Sequence, residues 1–415
     1  MAVYQLLSDR SAPTPLPRLM DSICVAVVVA EAVFLGGSYL RGTWLIAPGG
    51  GGVATDFVNV WAAGKLALAG HAAAAYDWPT HKFAEVSAVG HPFDGYYGWH
   101  YPPPFLFVAA ALALLPYAPA LLLWAVTTFS AYLVAIRAIV GDRTGYLLAA
   151  AFPPVIANFF VGQNGFFSAA LFGGTLVLIE RQRPIAAGVL LGLLTYKPHL
   201  GVLFPIALIA AGEWRVFVSA GIVAVLMALA SWLAFGSDSW LAFVGHIGQS
   251  SQAVFAEGKA DLTKLQTAFG LARDVGGGET AAWIVQAAVA LAAAAGVALV
   301  WRSRLAYEIK AATLGTAAML VTPYLYTYDL AVLAVPLAYL LRLGRERGFL
   351  AHELPAIGLA CLLILIFILP VAKAPVGFVA VLIVAALIAY RTLVLRDART
   401  QGRPPPPAAN CTAAQ

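Results

Sequence analysis

The sequence predicts an all-α, polytopic membrane protein, and three observations carry that prediction. Of its 415 residues 61% are hydrophobic and only 11% are charged, against about 25% charged residues in an average soluble protein. Mean hydropathy is +0.83. Apolar stretches recur along the whole length, with no polar span between them long enough for a separate soluble domain of about 50 residues. The chain therefore reads as a cytoplasmic N-terminal segment (1–19), a single membrane domain (20–396) and a disordered proline-rich cytoplasmic tail (397–415).

The first apolar run, residues 22–40, follows Arg10 and Arg18. It is long enough to span, and no small-x-small cleavage site follows it, so it reads as an uncleaved signal anchor. Further apolar segments cover 119–140, 145–161, 165–180, 184–197, 199–212, 215–235, 281–301, 308–322, 328–342, 354–370 and 374–395. With 20–40 they make about twelve transmembrane helices. Several are short and bounded by Pro154, Pro184, Pro198 or Pro323, which predicts short or broken helices near one face.

Orientation follows from Lys and Arg. With the N-terminus inside, Arg137, Arg143, Arg181, Arg183, Arg215, Arg302, Arg304, Lys310, Arg342, Arg345, Arg347 and the four arginines from Arg391 to Arg403 all fall in the cytoplasm, as the positive-inside rule requires of short turns. Lys197 and Lys373 are the exceptions, and the remaining basic residues belong to long loops that the rule constrains weakly. Counting residues 102–117 as a span would invert every later turn. That piece, bracketed by Pro102 to Pro104 and by Pro116, reads as an interfacial or re-entrant helix. Two outer loops result, 41–102 and 236–280. In the first, Phe57, Val58, Trp61, Ala62, Leu66 and Leu68, and then Phe83, Val86 and Val89, recur at near-helical spacing, the pattern of helices lying on a membrane surface. The expected location is the plasma (inner) membrane, multi-pass, with both termini cytoplasmic.

Composition also excludes function classes. The net charge of +5 is scattered through short turns rather than gathered into a nucleic-acid patch. Cys24, Cys361 and Cys411 form neither a C-x-x-C metal pattern nor a disulfide framework. No Asp-x-Asp motif for a nucleotide sugar, no G-x-x-x-x-G-K-[ST] loop and no G-x-G-x-x-G after a strand occurs. No metal site and no cofactor are expected.

Six polar positions fall on the outer side under a topology set by other residues. Asp56, in Thr55-Asp56-Phe57-Val58-Asn59, fits a helix N-cap and equally a general base at the lipid-water boundary; the two roles can coexist. Lys197 and His199, in Tyr196-Lys197-Pro198-His199, form a cationic pair suited to a phosphate group, or a snorkelling lysine beside an ordinary histidine. His100 precedes Tyr101-Pro102-Pro103-Pro104, where Trp99 and Tyr101 also suit interfacial anchoring. Gln163 and Asn164, in Gly162-Gln163-Asn164-Gly165, offer amides to hydroxyls or merely form a turn. Asp329, in Tyr324-Leu325-Tyr326-Thr327-Tyr328-Asp329, binds substrate beside Tyr328 or simply favours a helix N-terminus.

These motifs in this order resemble glycosyltransferase family 87, an integral-membrane group of the GT-C class that includes polyprenyl-phosphate-mannose-dependent mannosyltransferases. The matching residues are Asp56-Phe57, Tyr76-Asp77 after Gly70, Tyr101-Pro102-Pro103, Gly162-Gln163-Asn164, Gly188 to Gly192 leading to Lys197-Pro198, and Thr322-Pro323-Tyr324 to Tyr328-Asp329, spanning about residues 20–345. The resemblance implies a GT-C-like bundle and a lipid-linked sugar donor. It further implies an outer, periplasmic active site and inverting transfer of a hexose such as mannose to a lipid or glycan acceptor, without a metal. It makes Asp56 the base; beside it, the residues themselves offer Lys197, His199 and His100 as donor-phosphate contacts and Tyr101, Gln163, Asn164, Tyr328 and Asp329 as substrate contacts. Some members of the family carry a histidine where this chain has Tyr328-Asp329, so contacts there do not carry over. The rival readings are a transporter or flippase of lipid-linked or small polar substrates, and a scaffold without catalysis.

Overall fold

The computed structural model describes residues 18–251, 264–368 and 374–400, and among these 78% of the chain-forming structure is helical with no strand. Most of the N-terminal segment, Lys259, Lys373 and the proline-rich tail lie outside the described residues. Among the described residues six helices are long and apolar enough to cross a membrane: α1 (Arg18–Leu40), α5 (Tyr117–Val140), α12 (Trp214–Ser251), α14 (Glu279–Arg302), the span Thr327–Arg347 that ends in α16 (Ala334–Arg347), and α18 (Val376–Thr400). A seventh counts if α6 (Thr144–Ala150) and α7 (Pro154–Val161) form one span bent by 62°. Pro153 and Pro154 explain the bend, because neither supplies a backbone N–H.

Shorter apolar helices occupy most other segments expected to span: α8 (Gly165–Glu180), α9 (Pro184–Leu193), α10 (Pro198–Gly201), α11 (Phe204–Ala211), α15 (Tyr307–Val321) and α17 (Glu353–Ile368). The first outer loop contains α2 (Phe57–Leu68) and α3 (Trp78–Val89), and the piece expected as an interfacial or re-entrant helix holds α4 (Leu106–Leu112), with a 3-10 turn at Pro103–Phe105 leading into it. At 1.5 Å per residue, α4 is only about 10 Å long. The stretch expected as the opening of a second outer loop at 236 is helical as far as Ser251. Gly236 (φ 78°, ψ 167°) interrupts α12 there and the chain resumes its helix.

Charge pairs, from buried to half-exposed, gather at one end of the bundle. Arg342 joins Glu180, Glu308 (3.1 Å) and Glu346 (3.3 Å), Arg345 reaches Asp142 at 2.6 Å, and Arg391 pairs with Glu353 while donating to the Gly348 carbonyl at 2.7 Å. These arginines, read from sequence as markers of topology, thus also tie the helix ends together. The polar candidates sit at the other end. α8 runs from Gly165, next to Asn164, to Glu180, and its 16 residues separate the two ends by about 24 Å.

Two glycines place the turn between α7 and α8. Gly162 closes α7 with φ 69°, a left-handed conformation that suits glycine, and a Cβ there would lie 2.6 Å from that of Phe57. A Cβ on Gly165 would meet the Tyr328 carbonyl oxygen at 2.1 Å. The turn is therefore wedged between the start of α2 and the 3-10 segment Thr327–Leu333. That wedge brings Gln163 to Asp56 and Asn164 toward Asp329.

Candidate functional site

Asp56 precedes α2 but does not cap it. Its backbone is already helical (φ −53°, ψ −27°) and its side chain makes no capping bond, because a capping side chain needs an extended N-cap backbone to reach the N–H two or three residues on. The carboxylate instead accepts a 2.9 Å bond from Gln163 Nε2. Burial pushes its pKa above the usual carboxylate range, against the Gln163 bond and the positive charge of Lys264, which both lower it. Part of the residue remains open.

A cavity of about 390 Å³ opens beside it, and its wall includes Asn59, His100, Tyr101, Gln163, Lys197 and His199. Tyr328 and the aromatic faces of Tyr196, Tyr324 and Trp283 complete much of the rest. Asp56 lies one hydrogen bond behind this wall, at Gln163. Asp329 also lies behind it, fully buried, paired with Lys197 and accepting the Tyr326 backbone N–H at 3.2 Å. Its second role is thus the helix-start charge recognised in the sequence, here as one half of a capping box. Lys197, 5% exposed, donates to Asn164 Oδ1 at 2.7 Å and lies 5.2 Å from the Tyr328 ring. Of three ammonium protons, two are committed.

His199 Nε2 is buried with no hydrogen-bond partner among the described residues, and its ring stands edge-on to Tyr324 at 6.4 Å. His100 Nδ1 meets His246 Nε2 at 3.0 Å. The His100 ring is open to the cavity, yet the protein around it pushes its pKa down to about 4, with His246 the lesser cause, so it is neutral at physiological pH. A neutral pair of imidazoles shares one N–H as donor to the other's lone pair. Among the described residues, no group of three His, Cys, Asp or Glu side chains is arranged to hold a metal ion.

All nine sequence-selected residues gather in this region, six of them on the cavity wall and Asp56, Asn164 and Asp329 one hydrogen bond or ion pair behind it. Sequence reading missed Asn59, His246 and Trp283. Asn59 lies three residues after Asp56, hence on the same helical face. A histidine within a long apolar helix such as α12 is itself a signal for function, which the loop reading of 236–280 concealed.

A model of glycosyltransferase family 87 matches residues 99–323, more than half of the chain. The chain belongs to glycosyltransferase family 87. It is accordingly a membrane glycosyltransferase. The family match starts beyond Asp56 and stops short of Asp329, so it leaves both carboxylates outside. No curated protein and no solved structure matches the chain.

A buried acid sits next to the site. Glu85, on α3, accepts the Tyr97 N–H at 3.1 Å and lies 3.7 Å from both His81 and Lys82. Burial pushes Glu85 up to about 7, opposed by Lys82 and the Tyr97 N–H, and pushes His81 down to about 3. A carboxyl whose folded pKa is raised contributes its stability fully below its unfolded value of 4.5 and loses it as pH rises through about 7. Glu85→Gln removes that loss. The stability difference between Glu85→Gln and the parent protein, followed by thermal unfolding in detergent, should therefore shift in favour of the variant from pH 5 to pH 8, by up to about 3 kcal/mol. A difference independent of pH would refute the assignment.

Proposed function

We propose that this glycosyltransferase moves a hexose, such as mannose, from a polyprenyl-phosphate donor to a lipid or glycan acceptor on the outer face of the membrane, with inversion. The observation that carries the proposal is the convergence of a carboxylate and a buried ammonium on one cavity, through Gln163 and through Lys197 itself. Asp56 takes the acceptor's hydroxyl proton, the acceptor oxygen bonds to the anomeric carbon, and the bond from that carbon to the phosphate oxygen breaks. The leaving polyprenyl phosphate carries the released electron pair. The third proton of Lys197 and the unpartnered His199 Nε2 offer donors to that developing charge, and His100 borders the same space. Tyr101 and Tyr328 offer aromatic surface to the sugar. The polar groups collect at one end of the bundle rather than at mid-span, which favours transfer over transport.

Purified protein given short-chain polyprenyl-phosphate hexoses and a crude lipid acceptor fraction should release polyprenyl phosphate, and nucleotide sugars should not substitute. If the donor stays intact while a lipid or solute crosses reconstituted vesicles, the transporter reading replaces this one.

A further inference from the structure

The polar side chains between Lys197 and Asp56 form a chain with a single direction. Lys197 Nζ donates to Asn164 Oδ1 at 2.7 Å, and Asn164 Nδ2 donates to the Tyr101 hydroxyl at 2.7 Å. The Tyr101 hydroxyl donates to Gln163 Oε1 at 3.3 Å, and Gln163 Nε2 donates to Asp56 Oδ2 at 2.9 Å. Tyr101, Gln163, Asn164 and Lys197 are all at least nine-tenths buried, so solvent does not reset the sequence of donors.

The direction has a chemical origin. An ammonium can only donate and an ionised carboxylate can only accept, whereas an amide or a phenol does both. Lys197 therefore compels Asn164 to turn its oxygen inward and its NH₂ toward Tyr101. With its lone pair so engaged, the Tyr101 hydroxyl passes its proton's bond to Gln163 Oε1. The Gln163 amide is left with its NH₂ facing Asp56. Each bond polarises the next in the same sense, and the sum favours a charged Asp56 in a place where burial favours the neutral acid.

We propose that Gln163 is a positioning residue for the catalytic base, oriented by Lys197 through Asn164 and Tyr101. This rests on Asp56 being the base, and it removes Gln163 and Asn164 from the set of direct substrate contacts. The other titratable groups facing Asp56 are Lys264, ahead of α13 (Ala268–Asp274), Tyr97 and Tyr101 before Pro102, Tyr117 on α5, and Tyr328. The tyrosines are neutral at working pH, so Lys264 is the competing source of positive charge and stays unchanged in the test.

The test is an infrared pH titration of the purified protein, in which the protonated carboxyl stretch of Asp56 is identified by its loss in Asp56→Asn. The midpoint should rise by about one pH unit or more in Gln163→Leu. It should also rise in Tyr101→Phe, which keeps the ring that packs on Phe105 at 4.8 Å and lets the Gln163 amide turn over. Midpoints equal to the parent's in both variants overturn the proposal. So does a shift confined to Gln163→Leu, which would reduce the relay to one local bond. The measurement needs no substrate, so it separates from the catalytic reading: sugar transfer surviving in Asp56→Asn would sink the base assignment whatever the infrared titration gives.

Discussion

Asp56→Asn should lower sugar transfer by about 10²–10⁴-fold, the usual contribution of a positioned acid-base group, while the protein remains folded. Asparagine keeps the size of the side chain and can still bond to Gln163, but it accepts no proton from a hydroxyl at neutral pH. The side chain makes no bond to its own helix, so helix capping supplies no alternative reason for a loss. The pH dependence adds a second handle. Burial raises the Asp56 pKa from 3.8, and the base form exists only above it, so the acid limb of the transfer rate should lie above the ordinary carboxylate range and rise with pH. Transfer by Asp56→Asn at the parent's rate would refute the assignment, and a limb at or below 3.8 would show that burial is not setting the pKa.

Lys197→Met should destabilise the protein by about 3–5 kcal/mol, because it leaves the fully buried Asp329 without its counter-charge. It also removes the donor to Asn164. The double variant Lys197→Met/Asp329→Leu should recover much of that loss, since two apolar groups need no compensation in the interior. Recovery stays incomplete by about 1 kcal/mol, because Asp329 also accepts the Tyr326 N–H in a capping box. Thermal unfolding in detergent measures both. A single variant as stable as the parent would mean that water reaches the pair and screens it. Both variants should lose transfer even where folding is restored, and a double variant that is stable and inactive separates the structural role of the pair from its place beside the cavity.

Much of the helical layout was legible because a spanning or surface helix announces itself through local composition. The apolar runs, the proline breaks and the near-helical spacing from Phe57 to Leu68 each map onto a described helix. The opening of the 236–280 stretch was misread for a local reason: Gly236-Ser237-Asp238-Ser239 is polar and carries a glycine, which is turn chemistry. Packing against the first-loop 3-10 turn Ala72–Tyr76 accompanies a helix that restarts after that one residue. His246 was lost with it.

The candidate residues were legible as separate polar groups in apolar surroundings, where an ionisable side chain is costly without a purpose. Their partners were not. Asp56 and Gln163 are 107 residues apart, Lys197 and Asp329 are 132 apart, and His100 and His246 are 146 apart. Which donor faces which acceptor depends on the contact of Gly162 with Phe57 and of Gly165 with the Tyr328 carbonyl, and no local pattern encodes such approaches.

From the sequence alone came a membrane protein of many helices, a division of arginine-rich turns from a polar face, and the group of residues from Asp56 to Asp329 that resembles family 87. Tertiary structure alone decided that Asp56 turns away from its own helix to Gln163, that Lys197 is neutralised by Asp329, and that five side chains align into one directed relay. Hydropathy and periodicity are sums over neighbours in the chain, whereas hydrogen-bond direction is settled by groups that only packing brings within 3 Å or so of one another.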